Sequence, residues 1–147
     1  MKSLFRTVAV AAALCLTSGA GADGTTWAPQ TSGTEAYLYS VHFAADAKTG
    51  WAVGWDGTIV ATSDGGTTWA PQTSGTAVSL YSVHFAADAK TGWAVGNAGT
   101  ILATSDGGKT WAPQTSGTEA LQSVHLAADG KTGWAVGYNG TIVAMSD

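Results

Sequence analysis

Short apolar runs rich in β-branched and aromatic residues recur along the chain, and glycine-rich turns separate them. Between residues 80 and 115 the runs are LYSVHFA (80–86), WAVG (93–96), TILATS (100–105) and TWAPQT (110–115). Runs of this length with this punctuation predict β-strands joined by tight turns. No stretch after residue 22 has the spacing of an amphipathic helix. The pattern therefore predicts an all-β fold.

The pattern repeats with a period of about 42 residues. Trp27, Trp69 and Trp111 mark this period, and residues 25–66 differ from residues 67–108 at only six positions. Periods of this length are typical of four-stranded propeller blades. A proline follows each of these tryptophans by two residues, and proline cannot donate to a strand ladder. The proline-containing run is therefore predicted to be the outermost strand of each blade, and the LYSVHFA run the innermost.

The turn between the third and fourth predicted strands carries a motif. It is formed by Thr62, Asp64, Gly66, Thr68 and Trp69 in the first unit, and by Thr104, Asp106, Gly108, Thr110 and Trp111 in the second. This spacing resembles the Asp-box, or BNR, motif. The surrounding TGWAVG and TILATSDGG segments resemble the repeat of the photosystem II assembly and stability factor family. The resemblance implies a β-propeller in which the box is a structural turn, and an aspartate beside glycines favours the same role.

We therefore predict about three four-stranded propeller blades in residues 23–147, as a partial propeller or as half of a dimeric six-bladed ring. TTWAPQ (25–30) has the pattern of a fourth strand, and TIVAMSD (141–147) that of a third. One blade would then be assembled from both ends, each supplying half of a box. Natural propellers have about four to eight blades, so we expect a homodimer. The alternative is that the sequence is a fragment of a longer array.

The first 22 residues have the features of a secretory signal peptide. Lys2 and Arg6 precede the apolar run Val8–Leu16, and Ala20 and Ala22 form an A-x-A cleavage pattern. The apolar run is too short for a permanent membrane-spanning helix. We therefore expect cleavage near Ala22, an extracytoplasmic protein that is periplasmic or secreted, and no stable membrane insertion.

The charge of the remaining chain limits its chemistry. After Arg6 it contains no arginine, and it has four lysines against ten acidic residues. Binding to a phosphate backbone needs basic charge, so a nucleic-acid partner is not expected. A sialidase-like glycosidase, the enzyme alternative among Asp-box propellers, is disfavoured because arginines are the natural carboxylate clamp. No catalytic or cofactor motif is present, and a non-enzymatic binding or assembly scaffold without cofactor is predicted. A photosystem II-type assembly factor for a membrane complex is the functional alternative.

Differences between the repeats gather in two connections, one before the innermost strand and one between the second and third strands. In an up-and-down blade these connections emerge on the same face. Variable loops on a rigid scaffold are where binding sites usually lie. We therefore predict a face that binds a protein or glycan, formed by Glu35, Tyr37, Trp55, Asp56, Asn97, Glu119, Tyr138 and Asn139.

One histidine recurs on the innermost strand of every unit, as His42, His84 and His125. Symmetry places the three imidazoles in one ring near the central channel of the propeller. Neutral imidazoles are zinc ligands, so a metal site is a weak alternative. The favoured interpretation is that duplication copied one structural histidine, and no metal is predicted.

Overall fold

The computed structural model describes residues 24–145, which form three antiparallel sheets that we call blades 1, 2 and 3. The all-β, propeller-type prediction is confirmed. No helix among these residues is long and apolar enough to cross a membrane. The strands are β1 Leu38–Phe43, β2 Gly50–Gly54, β3 Ile59–Thr62 and β4 Ala70–Gln72 in blade 1, β5 Leu80–Phe85, β6 Gly92–Gly96, β7 Thr100–Thr104 and β8 Ala112–Thr115 in blade 2, and β9 Leu121–Leu126, β10 Gly133–Gly137 and β11 Ile142–Met145 in blade 3.

The segment predicted as a fourth strand, residues 25–30, differs from the expectation. Only Thr26 makes an isolated bridge there. β11 pairs with β10 and with no other strand of residues 24–145, so blade 3 has three strands in this range. A strand needs a free edge beside it, and within one copy this segment does not lie along β11. The predicted signal peptide and the half box at Ser146 and Asp147 fall outside the described residues.

The blades are joined through their inner strands. β1 lies beside β5, and β5 beside β9. Val83 N–H donates to the Ser40 hydroxyl at 3.3 Å, and Val124 N–H donates to the Ser82 hydroxyl at 3.2 Å. Because the serine recurs at each repeat, the same bond forms at both junctions and fixes the offset between neighbouring blades.

An apolar core fills the space between blades 1 and 2. Trp51 of β2 stacks on Phe85 of β5, with ring centroids 3.5 Å apart and planes 10° from parallel. Val53 and Ile59 lie beside Trp51, and all of them are buried. Complete burial of one such apolar side chain contributes about 2 kcal/mol. The repeat is therefore stabilised mainly by contacts between blades.

Glycine at the start of β6 is required by this packing. The Phe85 ring lies directly over Gly92, where an added Cβ would come within 2.6 Å of the ring carbons. Side-chain atoms do not approach that closely. The glycine of each TGWAVG segment therefore makes room for a large apolar side chain of the adjacent inner strand, which is Phe43 in blade 1, Phe85 in blade 2 and Leu126 in blade 3.

The Asp box is a hydrogen-bonded hairpin. The Asp64 carboxylate accepts the Thr68 N–H at 2.9 Å, the Thr68 hydroxyl at 2.6 Å and the Thr62 hydroxyl at 2.8 Å. The Thr62 hydroxyl oxygen in turn accepts the Gly66 N–H at 3.0 Å. Gly65 lies at φ +73°, a conformation that glycine adopts without a Cβ penalty. Asp106 makes the same bonds in blade 2, so the geometry of both complete boxes is that of a structural turn.

We predict that Asp106→Ala lowers the midpoint of thermal unfolding by a few degrees, because the Thr104 and Thr110 groups of the turn lose their hydrogen-bond acceptor. Hydrogen bonds, first from the Thr110 hydroxyl, lower the pKa of Asp106 to about 2. The carboxylate therefore stabilises the fold above the ordinary pKa of 3.8, and this contribution is lost as the pH falls towards 2. Calorimetry across this acid range should show a weaker pH dependence in the variant.

Asp56→Ala is the matched control for this experiment. Asp56 is exposed at φ 52°, and blade 2 has Ala98 at the same position with φ 53°. The control should unfold like the wild type. An unchanged midpoint for Asp106→Ala would contradict the structural role of the box.

Candidate functional site

The two variable connections meet on one face of the molecule, as the sequence predicted. A 3-10 turn follows the second strand of each blade, at Trp55–Gly57, Asn97–Gly99 and Tyr138–Gly140. Each turn is bonded to the connection before the inner strand: Trp55 N–H donates to Tyr37 O at 2.9 Å, Asn97 N–H to Ser79 O at 3.0 Å and Tyr138 N–H to Ala120 O at 3.3 Å. We call the surface formed by these turns and connections the loop face.

The invariant turns lie together away from the loop face. Gly65 N–H, in the first Asp box, donates to Lys48 O at 2.9 Å, and Gly107 N–H donates to Lys90 O at 3.0 Å. The Asp46 carboxylate accepts the N–H groups of Lys48 and Thr49, both at 2.8 Å. These bonds occupy the turn's polar groups internally, which explains why the sequence here hardly varies.

Blade 1 presents two aromatic rings on the loop face. The Tyr37 and Trp55 ring centroids are 6.1 Å apart with planes at 43°, and both side chains are exposed. Glu35 and Asp56 are exposed beside them. A cleft of about 590 Å³ has Asp56 in its lining, together with Ser74 and Thr76 of the connection that leads to β5. Exposed aromatic rings with acidic neighbours suit a partner that is partly apolar and carries basic or amide groups.

Blades 2 and 3 present different groups at the equivalent positions. Asn97 turns its side-chain oxygen inward to accept the Ala98 N–H at 3.0 Å. In blade 3 the Asn139 amide donates to the Glu119 carboxylate at 2.8 Å, and Tyr138 is exposed next to it. The eight predicted residues therefore lie on one face but in separate groups, with aromatic rings in blades 1 and 3 and a polar turn in blade 2.

The structure adds Tyr39 to the exposed aromatic surface, with the half-buried Tyr81 beside it. Their rings meet edge to face at 5.5 Å, and Tyr39 is exposed. The register of β1 shifts between Leu38 and Ser40, so Tyr39 leaves the regular alternation of the strand. A bulge of this kind has no signature in the apolar pattern of the sequence.

The three repeated histidines form a column along the inner strands. The His42 and His84 ring centroids are 4.5 Å apart, and those of His84 and His125 are 4.6 Å apart. The Nδ1 atom of His84 accepts the Leu126 N–H at 3.3 Å, which couples blade 2 to blade 3. Among residues 24–145, no group of three or more His, Cys, Asp or Glu side chains is placed to hold a metal ion. The metal alternative therefore has no support in the geometry, and His84 has a structural bond instead.

Partial burial is the main cause that lowers the pKa of His42 and His84 below the ordinary 6.5. Charge on the neighbouring imidazoles of the column lowers both further. A proton on any of the rings would repel its neighbours, and a proton on Nδ1 of His84 would remove the acceptor for Leu126. The folded protein therefore favours the neutral forms of His42 and His84.

Repeated antiparallel blades with adjoining inner strands and Asp-box hairpins define the class of protein: an Asp-box, or BNR, β-propeller repeat protein. The chain belongs to the family of the photosynthesis system II assembly factor YCF48, whose family model matches residues 20–80 and 72–147. This confirms the resemblance read from the motifs. Comparison with curated proteins gives no match.

Solved structures of that family resemble this fold. YCF48 bound to a D1 peptide is 28% identical with a TM-score of 0.67, over 78% of this chain and 38% of that chain. YCF48 from Cyanidioschyzon merolae is 27% identical with a TM-score of 0.64, over 76% of this chain and 34% of that chain. The present chain thus matches little more than a third of these relatives. An ancestral GH74 enzyme shares the fold alone, at 15% identity and a TM-score of 0.59, over 74% of this chain and 17% of that chain.

We predict that His84→Asn reduces the pH dependence of stability while keeping the blades joined. Because the folded-state pKa values of His42 and His84 are lowered, these neutral imidazoles stabilise the fold above about pH 6.5, and this stability is lost as the pH falls below that value. The asparagine oxygen can replace Nδ1 as acceptor but does not titrate. Thermal unfolding between about pH 7.5 and about pH 5 should show a smaller decrease for the variant than for the wild type. An equal decrease in both proteins would show that the histidine column is not the cause of the pH-dependent loss of stability.

Proposed function

We propose that this protein is an exported, non-enzymatic propeller scaffold that binds a segment of a partner protein through the loop face. The observation that carries the proposal is the set of exposed rings Tyr37, Trp55 and Tyr138, which stand on turns bonded to a rigid frame. Aromatic residues are enriched in the centres of protein interfaces and lose little conformational entropy on binding. The signal-like residues 1–22 are the reason for proposing export.

The family supports a peptide-binding role. A relative has been solved with a D1 peptide bound, so a propeller of this family holds a protein segment. We infer that this chain acts in the same general way, as an assembly factor that holds part of a membrane-complex subunit. Exposed rings next to Glu35, Asp56 and Glu119 favour a segment that combines apolar side chains with basic or amide groups.

A glycosidase is the second candidate, and two observations disfavour it. The sequence has no arginine after Arg6, so the bidentate clamp for a sugar carboxylate is missing. The acidic side chains of the Asp-box turn and of the turn between β1 and β2 are engaged in structural hydrogen bonds: Asp46 and Asp64 accept hydrogen bonds from their own turns. Release of sialic acid from a fluorogenic substrate by the purified protein would contradict the non-enzymatic assignment.

We predict that replacing both Trp55 and Tyr138 by asparagine weakens binding of a D1-type peptide at least about tenfold. Asparagine occupies the same turn position in blade 2 as Asn97, so the turn conformation should be retained. Fluorescence anisotropy of a labelled peptide measures affinity, and thermal unfolding measures stability. We expect lost affinity with little change in the unfolding midpoint.

Lys48→Ala is the control, because Lys48 is exposed in the invariant turns rather than on the loop face. It should leave peptide affinity close to the wild-type value. Equal affinities for the wild type, the control and the double variant would show that the loop face is not the binding surface.

A further inference from the structure

We propose that the protein closes its propeller with a second copy of itself, the segment Gly24–Gln30 of each copy completing blade 3 of the other. This surface is separate from the loop face and goes beyond the proposed peptide binding. The evidence comes from the repeat, since each contact that exists between blades 1 and 2 can be compared with the same residues at the two ends.

The side of blade 3 that faces away from blade 2 is apolar and uncovered. Its residues repeat those with which blade 1 packs on blade 2. Ile59 of blade 1 is 1% exposed, whereas its counterpart Ile142 is 70% exposed. Trp51 is likewise buried and its counterpart Trp134 is exposed. The residues are identical, so the difference arises from the neighbouring blade that Ile59 has and Ile142 lacks.

The side of blade 1 that faces away from blade 2 is the matching surface. Val83 of blade 2 is 4% exposed against blade 1, whereas its counterpart Val41 is 59% exposed. Phe85 is buried beneath Trp51, and its counterpart Phe43 is exposed. Blade 1 of one copy therefore carries the apolar side chains that could cover blade 3 of another copy. The contact would repeat the packing of blade 1 on blade 2 within one chain.

A cavity in blade 3 marks the place of the missing fourth strand. Between blades 1 and 2, the Trp111 ring packs against the core. At the corresponding place in blade 3 there is a cavity of about 520 Å³, whose lining includes Trp93, Ile101 and Leu126. The tryptophan that corresponds to Trp111 one repeat further on is Trp27, and its side chain is 86% exposed. Insertion of Trp27 from a second copy would fill the cavity and bury the indole.

A buried N–H group lacks the acceptor that its counterpart has. The Trp51 indole N–H donates to Gly107 O of the next blade's Asp box at 2.9 Å. The equivalent Trp93 Nε1 is buried and has no hydrogen-bond partner among the described residues. A buried donor without an acceptor costs stability. A neighbouring blade supplied by a second copy would bring backbone carbonyls to this side of Trp93, as blade 2 does for Trp51.

The segment already lies where an outer strand of a preceding blade would lie. Gln72 of β4 approaches Gly107 O of the next Asp box, with Nε2 at 3.5 Å, and Gln30 approaches Gly65 O in the same way at 3.5 Å. Residues 24–30 are thus held against blade 1 as β4 is held against blade 2. Blade 3 of another copy could therefore pair with residues 24–30 as its fourth strand.

Two copies would make a six-bladed ring, within the range of about four to eight blades that propellers use. Each copy supplies one exposed end of each kind, so two equivalent junctions close the ring by a two-fold axis. The apolar ends of both copies are then covered, and so is the outer edge of β11 in each copy.

Light scattering and native mass spectrometry of the full chain, after secretion from a bacterial host, test the proposal. We expect the wild type at micromolar concentration to have twice the mass of the denatured chain. Trp27→Ala should raise the dissociation constant of the dimer at least about tenfold, since a central tryptophan is a typical hot spot. Trp27 is exposed in a single copy, so its removal should leave the fold intact by circular dichroism.

Trp55→Asn is the matched control: it also removes an exposed indole, but from the loop face, and should remain dimeric. Val41→Arg is the second variant, because it places a charge on the exposed side of blade 1 and should give a folded monomer. A folded wild-type monomer, a trimer, or dimers that persist in both Trp27→Ala and Val41→Arg would overturn the proposal. Loss of peptide binding by a dimeric Trp55→Asn protein would separate this inference from the proposed function.

Discussion

The structure depends on the contact between the second strand of one blade and the inner strand of the next. Trp51 stacks on Phe85 at 3.5 Å, and Phe85 in turn needs Gly92 beneath its ring. A single blade of short strands cannot bury both of its faces, so stability comes from neighbours rather than from the blade itself. The positions of Trp51, Phe85 and Gly92 within their repeats follow from this one contact.

Local hydrogen bonds fix the two kinds of turn in different ways, and this separates stability from recognition. In the Asp box the carboxylate of Asp64 accepts hydrogen bonds from Thr62 and Thr68, so this side chain serves to hold its own turn. On the loop face the backbone bond from Trp55 to Tyr37 holds the turn, and the side chains remain exposed. Side chains on this face can therefore differ between repeats while the backbone hydrogen bonds that hold the turns are kept.

Much of the fold followed from the sequence because the period, the turn glycines and the apolar runs all point to one architecture. The strands of blade 2 lie within about two residues of their predicted bounds, an ordinary boundary error. The loop face was also predictable, since up-and-down connectivity decides which connections share a side. The exposure of Tyr39 was not predictable, because it depends on a bulge beside Leu38. The repeat did place the three histidines together, but the bond from Leu126 N–H to His84 was not predictable, because it depends on the offset between blades.

The failure of residues 25–30 to form a strand has the same physical origin as the stability of the repeat. Their sequence has the outer-strand pattern, yet a strand forms only against an edge, and the edge that matches this segment is β11 at the far end of the chain. Head-to-tail surfaces of this kind close into a ring when the rotation per copy permits and otherwise grow into filaments. The small number of blades needed for a closed propeller favours the ring, because closure removes both apolar ends at once. The near-identity of the repeats, which makes each blade a template for the next, is therefore the physical basis of the self-pairing that we propose.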